Sequence, residues 1–270
     1  KGDAIIKVDA HAVIPEDFVS KNVRVLETGE YICGGQRPNI IDKPTPFKET
    51  LLLAESSMFG SSIASYRNNP GKTYVKSLFH AAYRREVFEK VGFFNEELVR
   101  TEDNEIHYRM RKAGYKLCFD PDIISYQYTR SSLKAMLKQK YANGYWIGKT
   151  SKVCPKCLSI YHFVPFAFVS AIIASGSVIG ATGLAECIKK RHNHTLGKGI
   201  SALRKVTVVL TTVMWVLYAL MASGMAAVSA FKAEDKRNIT NACLPVLFLL
   251  LHLSYGIGTI AGLMDKSKRG

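Results

Sequence analysis

The 270 residues allow one or two domains, and 47% of them are hydrophobic. The formal charge of +15 is unevenly distributed: residues 1–130 contain 19 Lys and Arg against 18 Asp and Glu, whereas residues 131–270 contain 18 Lys and Arg against four acidic residues. Because the basic excess accompanies long apolar segments, the composition favours contact with anionic lipid head groups and predicts no nucleic-acid partner.

The first half of the chain alternates strand and helix patterns. Residues 4–8 are predicted to form a buried strand that leads directly into Asp9-Ala10-His11. Further strands are predicted at 21–25, 30–34, 77–83 and 115–119, with helices at 47–57 and 84–91. This order predicts an α/β domain.

Asp9 and His11 lie two residues apart at the end of the first predicted strand. In an extended segment their side chains project to the same face. A divalent ion between them would neutralise the charge of a departing diphosphate, and Mn²⁺ tolerates an imidazole ligand better than Mg²⁺ does. The alternative is a turn-forming Asp beside an incidental His.

Residues 99–114, VRTEDNEIHYRMRKAG, form a second segment with candidate chemistry. Thr101 is predicted to cap a helix that Gly114 ends. Glu102 and Asp103 fall in its first turn, where the helix dipole favours anions and should keep Asp103 ionised. Capping alone would explain this pattern, but an ionised Asp103 is also suited to accept the proton of an attacking hydroxyl.

Residues 131–149, SSLKAMLKQKYANGYWIGK, are predicted to form an amphipathic helix with interfacial aromatic residues. This pattern is typical of a helix that lies in the head-group plane. The alternative is a soluble amphipathic helix packed on the domain. We therefore divide the chain into a domain at 1–130, an interfacial helix and linker at 131–157, and a membrane region at 158–270.

Three segments of the membrane region contain no charged residue: 158–185, 206–231 and 242–264. Each exceeds the roughly 20 residues that a helix needs to cross a bilayer. If each crosses once from a cytosolic start, a loop with six cations falls outside, against the preference of basic loops for the cytosol. A re-entrant segment or hairpin at 158–185 would keep that loop inside, and Gly176 and Gly180 could mark close helix packing.

Four segments, in order along the chain, resemble the family 2 glycosyltransferases, especially the membrane-bound succinoglycan-type exopolysaccharide enzymes. They are VDAHAVIPEDF (8–18), FHAAYRREVFEKVGFFNEELVRTEDNEIHYRMRKAGYKLCFDPDI (79–123), QKYANGYW (139–146) and HFVPFAFV (162–169). The resemblance implies a partial GT-A (Rossmann-like) nucleotide-sugar-binding domain of α/β class, followed by an all-α membrane region. It also implies an inverting, metal-assisted sugar transfer.

The resemblance also implies roles for particular residues. Asp9-Ala-His11 takes the place of the metal-binding Asp-x-Asp motif, with Mn²⁺ or Mg²⁺ as cofactor, although His11 replaces the second Asp. Thr101-Glu102-Asp103 matches the motif whose Asp is the general base. Gln139 and Trp146 resemble the ends of the Gln-x-x-Arg-Trp element that holds donor or acceptor, although the spacing is longer and the Arg is absent. Glu102, Arg84 and Arg85 are further expected at the donor or acceptor site.

The expected partners are a nucleotide-sugar donor, a lipid-linked or polysaccharide acceptor, and membrane lipids. The expected location is the cell membrane, as a multi-pass protein whose catalytic domain is cytoplasmic. The family's nucleotide-binding half precedes its metal motif, so residues 1–270 alone are expected to be inactive or nearly so. A membrane-anchored scaffold that retains the fold without turnover is the alternative. A transporter is disfavoured, because the three apolar segments offer no charged residue for an ion path.

Overall fold

A computed structural model describes residues 2–10, 12–60, 71–191, 197–233 and 238–266, with the backbone alone for residues 190 and 191. The strands are β1 (Ala4–Lys7), β2 (Ala12–Val13), β3 (Ile32–Gln36), β4 (Asn39–Ile40), β5 (Thr73–Val75), β6 (Ala81–Arg84), β7 (Leu117–Ile124) and β8 (Tyr126–Tyr128). The helices are α1 (Phe18–Glu27), α2 (Pro46–Ser56), α3 (Arg85–Val91), α4 (Glu102–Lys112), α5 (Leu133–Val153), α6 (Val164–Arg191), α7 (Lys198–Phe231) and α8 (Leu244–Met264).

The N-terminal domain contains a five-stranded mixed sheet and a smaller three-stranded sheet. The larger sheet has the order β1-β6-β3-β7-β5, in which β3 and β7 are parallel and the other pairs antiparallel. The smaller sheet has the order β2-β8-β4. A mixed α/β domain followed by a helical region with three apolar helices is the fold class that the sequence predicts.

One predicted strand is wrong. Residues 21–25 lie inside α1, whose buried residues are Phe18, Asn22, Val25 and Leu26. Their spacing of four, three and one residues matches the 3.6-residue period of a helix, although the short window KNVRV also alternates as a strand would. A short window therefore gave the wrong period, which the full helix corrects.

The core of the domain holds α3 and α4 against the larger sheet. Ile106 and Met110 of α4 are fully buried with Tyr83 of β6 and Phe119 of β7 in one cluster. This packing fixes the N-terminus of α4 beside the C-terminal end of β1, which is where the candidate site lies.

Helix α5 packs lengthwise and parallel to α8. The Ser254 hydroxyl donates to the Leu137 carbonyl at 2.7 Å, and the contacts then advance together along both helices to the Lys149–Asp265 ion pair at 3.3 Å. Glycines allow this approach: a Cβ on Gly258 would lie 2.1 Å from the Tyr141 carbonyl oxygen. The two helices therefore form one rigid unit with a shared direction.

Helices α6 and α7 form an antiparallel pair. Phe168 stacks on Tyr218 near the domain, and Glu186 pairs with Arg204 at the far end. All of α6, α7 and α8 are long and apolar enough to cross a membrane.

Two expectations about the segment 158–185 are not met. The segment contains no break between two crossings, because α6 is one continuous helix from Val164 to Arg191. Gly176 and Gly180 do not mark close packing between described elements, since no described atom outside the helix lies within 4 Å of a Cβ at either position. The glycines that do permit close packing lie in α5 and α8 instead.

Candidate active site

The candidate site forms where the end of β1 meets the start of α4. The Lys7 ammonium lies 2.7 Å from Oδ1 of Asp103, 3.2 Å from Oε1 of Glu102 and 3.6 Å from Oδ1 of Asp9. One cation thus gathers the Asp of the predicted metal motif and both acidic residues of the predicted base motif. Asp9 and Asp103 are separated by 94 positions in the chain, and the fold brings them to one place.

Lys7 is the site residue that sequence reasoning missed. Burial acts to lower its pKa, but the charges of Asp103, Glu102 and Asp9 and the hydrogen bond to Asp103 outweigh burial, so the pKa of Lys7 is raised. The available signal was a lone cation in the apolar strand AIIK, two residues before Asp9 and therefore on the same strand face.

Asp103 has the properties of a base that works near neutral pH. Burial raises its pKa to about 7, although the Lys7 ammonium acts in the opposite direction. The sequence-based expectation of a carboxylate kept well ionised by the helix N-terminus is therefore wrong, because burial outweighs that effect here. The side chain remains 16% exposed, so the carboxylate can still be reached from solvent.

Thr101 does not cap α4 through its side chain as predicted. Its φ of 72° and ψ of 5° are left-handed, and its hydroxyl makes no capping hydrogen bond. A β-branched residue in this region is a genuine outlier, which costs about 1–3 kcal/mol and is found mainly at functional sites. The hydroxyl instead meets the hydroxyl of Thr150 on α5 at 2.5 Å.

Behind the carboxylates, α4 contributes a fully buried histidine. The Nδ1 atom of His107 lies 3.2 Å from the Ser77 hydroxyl, and Nε2 lies 2.8 Å from the Tyr83 hydroxyl. Burial, with the positive charges of Lys7 and Arg111, lowers the pKa of His107 to about 3. The imidazole is therefore neutral and supports the start of α4 as a structural group.

The described residues do not by themselves make a metal site. Among them, no group of three or more His, Cys, Asp and Glu side chains is placed to hold an ion. Asp9 supplies one carboxylate, and the Lys7 ammonium lies 3.6 Å from its Oδ1. His11, the second predicted ligand, lies outside the described residues.

Arg84 and Arg85 lie at the other end of β1. Ala4 pairs with Arg84 and Lys7 with Ala81, which puts Arg84 roughly 10 Å from the Lys7 end of the strand. Arg84 donates to the carbonyls of Leu26 and Glu30, and Arg85 to the carbonyl of Gly2. These contacts are structural, so a donor-binding role for either arginine stays a prediction without support from them.

Gln139 and Trp146 lie on the face of α5 that is turned toward the start of α4. They share this face with Asn143, whose Oδ1 accepts from Arg100 at 2.8 Å, and with Thr150. Trp146 is 9% exposed, and Oε1 of Gln139 is buried without a hydrogen-bond partner in the part of the chain that the structure describes. Their predicted role in binding stays a prediction, and the α5 face that carries them contacts Arg100 and Thr101 through other residues.

Comparison with known proteins identifies the family of this arrangement. The family described as Glycosyl transferase family group 2 matches residues 4–258, which include both acidic motifs and most of the helical region. Three individual proteins that are similar to this chain match a smaller part of it than the family model does.

Three similar proteins illustrate the range. The succinoglycan biosynthesis protein ExoA of Rhizobium meliloti is 27% identical over 145 residues, which cover 53% of this chain and 43% of that protein. A dolichyl N-acetyl-alpha-D-glucosaminyl phosphate 3-beta-D-2,3-diacetamido-2,3-dideoxy-beta-D-glucuronosyltransferase of Methanococcus voltae is 24% identical over 64% of this chain and 54% of its own length. The O-antigen chain rhamnosyltransferase RfbN of Salmonella typhimurium is 29% identical over 47% and 42%. The chain spans about half the length of the curated relatives it matches.

Proposed function

Since the chain belongs to Glycosyl transferase family group 2, we propose that the full-length protein is an inverting glycosyltransferase of cell-envelope glycan synthesis. It moves a sugar from a nucleotide-diphosphate donor to a lipid-linked or polysaccharide acceptor. Support for the reaction class comes from relatives named for succinoglycan biosynthesis and O-antigen rhamnosyl transfer. The three long apolar helices support an acceptor that is held at a membrane.

The observation that carries the proposal is the convergence of Asp9, Glu102 and Asp103 on the Lys7 ammonium. Asp103 is partly exposed in the first turn of α4, beside the end of β1, and has a pKa of about 7. A general base is most effective when its pKa is close to the working pH. The pKa that burial gives to Asp103 is therefore suited to proton abstraction, whether or not the carboxylate also stabilises the start of α4.

The proposed reaction is a single displacement at the anomeric carbon of the donor sugar. The acceptor hydroxyl oxygen forms a bond to this carbon while the bond to the diphosphate oxygen breaks on the opposite face, which inverts the configuration. Asp103 takes the hydroxyl proton, and the electron pair of the broken bond leaves with the nucleoside diphosphate. Glu102, Gln139 and Trp146 are proposed to contact donor or acceptor.

A divalent ion at Asp9 and His11 is proposed from the resemblance alone. Mn²⁺ suits a carboxylate with an imidazole better than Mg²⁺ does. When bound, such an ion supplies positive charge for the departing diphosphate. The role of Asp103 as a base does not depend on that ion.

Replacement of Asp103 by Asn tests the proposal. The assay measures nucleoside diphosphate release and glycan labelling when UDP-glucose, UDP-galactose, GDP-mannose and dTDP-rhamnose are supplied separately to membranes with the full-length protein. Loss of a general base should lower the rate roughly 10²- to 10⁴-fold. The matched control is Asp17→Asn, which alters an exposed ion pair with Lys21 and should retain the wild-type rate.

The second candidate function is a non-catalytic membrane-anchored scaffold. The observation that favours it is the 2.7 Å ion pair between Asp103 and Lys7, because such a pair also serves a purely structural role. The Asp103→Asn variant separates the two functions. Transfer at the wild-type rate by a folded variant would remove Asp103 from catalysis.

A further inference from the structure

Helix α5 contacts different elements on its two opposite faces. Gln139, Asn143, Trp146 and Thr150 are spaced at i, i+4, i+7 and i+11, which places them on one face of a helix. The glycines Gly144 and Gly148 lie on the opposite face, where a Cβ would be 2.0 Å and 2.5 Å from carbonyl oxygens of α8. The helix is therefore fixed to α8 on one side and faces the start of α4 on the other.

The face of α5 that is turned toward α4 contacts Arg100 and Thr101, the two residues directly before Glu102. Nη1 of Arg100 donates to Oδ1 of Asn143 at 2.8 Å. The hydroxyls of Thr101 and Thr150 are 2.5 Å apart. Both contacts join residues more than 40 positions apart in sequence, so they tie separate elements together rather than finish a local turn.

The backbone at Thr101 explains why such a tie is needed. A left-handed φ of 72° at a β-branched residue persists only where the surroundings hold it. Thr101 is the residue from which α4 starts, and Asp103 is the second residue of that helix. A change in the backbone of Thr101 therefore rotates the first turn and moves the Asp103 carboxylate.

We propose that Thr150 is a positioning residue that acts through Thr101 to set the place of the Asp103 carboxylate, with Asn143 acting in the same way through Arg100. This rests on the proposed function of Asp103 as the base. Because α5 is locked against α8, the proposal makes the base's position depend on the α5–α8 pair, and so links the site to the helical region.

The test compares Thr150→Val, which removes the hydroxyl, with Thr150→Ser, which keeps it, in the full-length protein. For the nucleotide-sugar of the panel above that supports transfer, Thr150→Val should lower kcat roughly 10- to 100-fold with little change in the donor KM, since misplacement of a catalytic group acts on the reaction step. Thr150→Ser should stay near the wild-type kcat. The matched control is Thr182→Val on α6, where the lost hydroxyl donates to carbonyls of its own helix and to no other group among the described residues.

A second readout needs no substrate. Hydrogen exchange of the peptide that covers residues 98–106 should become faster in Thr150→Val and remain unchanged in Thr150→Ser and Thr182→Val. If Thr150→Val does not fold, Asn143→Ala replaces it in the test. We expect this variant to have a lower kcat and faster hydrogen exchange in residues 98–106.

Wild-type kcat and unchanged exchange in the folded Thr150→Val variant would overturn the inference, as would equal losses in the Val and Ser variants. The same assay with Asp103→Asn keeps the two proposals apart. If Asp103→Asn retains transfer, the proposed function fails. If it abolishes transfer while Thr150→Val retains it, only the positioning role fails.

Discussion

His107 is a buried, neutral imidazole on the inner face of α4, with its ring nitrogens at hydrogen-bond distance from the hydroxyls of Ser77 and Tyr83. Its pKa is lowered to about 3 in the folded protein, whereas an unfolded chain has a histidine pKa of about 6.5. The stability that comes from the neutral form is therefore fully present above pH 6.5 and is lost as the pH falls toward 3. Between pH 6.5 and pH 5 we expect a loss of about 2 kcal/mol in the free energy of unfolding.

Unfolding in detergent at these two pH values, for the wild type and His107→Gln, measures this effect. The comparison is needed because Asp103 has a raised pKa and contributes a pH dependence of the opposite sign below about pH 7. Subtraction of the variant's pH dependence from that of the wild type isolates His107. An equal pH dependence in both proteins would contradict the prediction.

At the residue scale, the sequence predicts acidic residues but not their partners. The acidic first turn of α4 follows directly from the residues TEDNE, and the structure has Glu102, Asp103 and Glu105 there. Lys7 is more than 90 positions away, and its contact with Asp103 depends on how β1 and α4 pack. The left-handed backbone of Thr101 is equally hidden, because Thr in front of acidic residues usually indicates an ordinary N-cap.

At the scale of elements, the α5–α8 contact is the one most sensitive to substitution. A Cβ on Gly258 would lie 2.1 Å from the Tyr141 carbonyl oxygen, closer than packed atoms can be. Gly258→Ala must therefore push the helices apart, and we expect a destabilisation of about 1–3 kcal/mol, as for other overpacked sites. The measurement is the thermal midpoint of the purified protein in one detergent.

Gly176→Ala on α6 is the matched control. In the part of the chain that the structure describes, no atom outside its own helix lies within 4 Å of a Cβ there, so the expected effect is the better helix propensity of Ala, worth up to about 1 kcal/mol. Equal midpoints for the two variants would contradict the prediction, because they would mean that the α5–α8 contact accommodates the added methyl group without loss of stability.

The same glycines show why the helix contacts could not be predicted from the sequence. Three pairs with the spacing of four that permits close packing occur in the helical region: Gly176 with Gly180, Gly144 with Gly148, and Gly258 with Gly262. The spacing alone does not tell which pair meets another helix. The structure assigns close packing to the latter two pairs, because the polar face of α5 is occupied by the domain and its small residues are left to receive α8.

At the scale of the whole molecule, contacts form an unbroken series from the candidate site to the apolar helices. The start of α4 contacts α5 through Thr101 and Arg100. Helix α5 is fixed to α8, and α8 shares a buried cluster with α2 and the C-terminal part of α7. Because α5 and α8 stay in contact along one shared direction, α5 cannot lie in the head-group plane while α8 stands upright in a bilayer.

The topology of α6 and α7 is where charge and geometry disagree. The end of this pair where α6 finishes and α7 begins is called its tip. The basic residues around Lys189, Lys198 and Arg204 favour the cytosolic side for this tip. The helices, however, are continuous over 28 and 34 residues and roughly 42 Å and 51 Å long, and their paired contacts run from Phe168 near the domain to Glu186 at the tip. If the pair crosses a core of about 30 Å, its tip lies on the side opposite the domain.

We expect geometry to prevail, because α6 has no break that would return the chain to the domain's side. Two native cysteines test this: Cys187 is exposed near the tip, and Cys243 is exposed just before α8, beside residues that contact α2. In sealed vesicles, single-cysteine variants that keep one or the other should react with an impermeant maleimide from opposite faces, and both should react after permeabilisation. Reaction of both from the same face would mean that the α6–α7 pair does not cross and that its basic tip remains on the domain's side, where charge alone would place it.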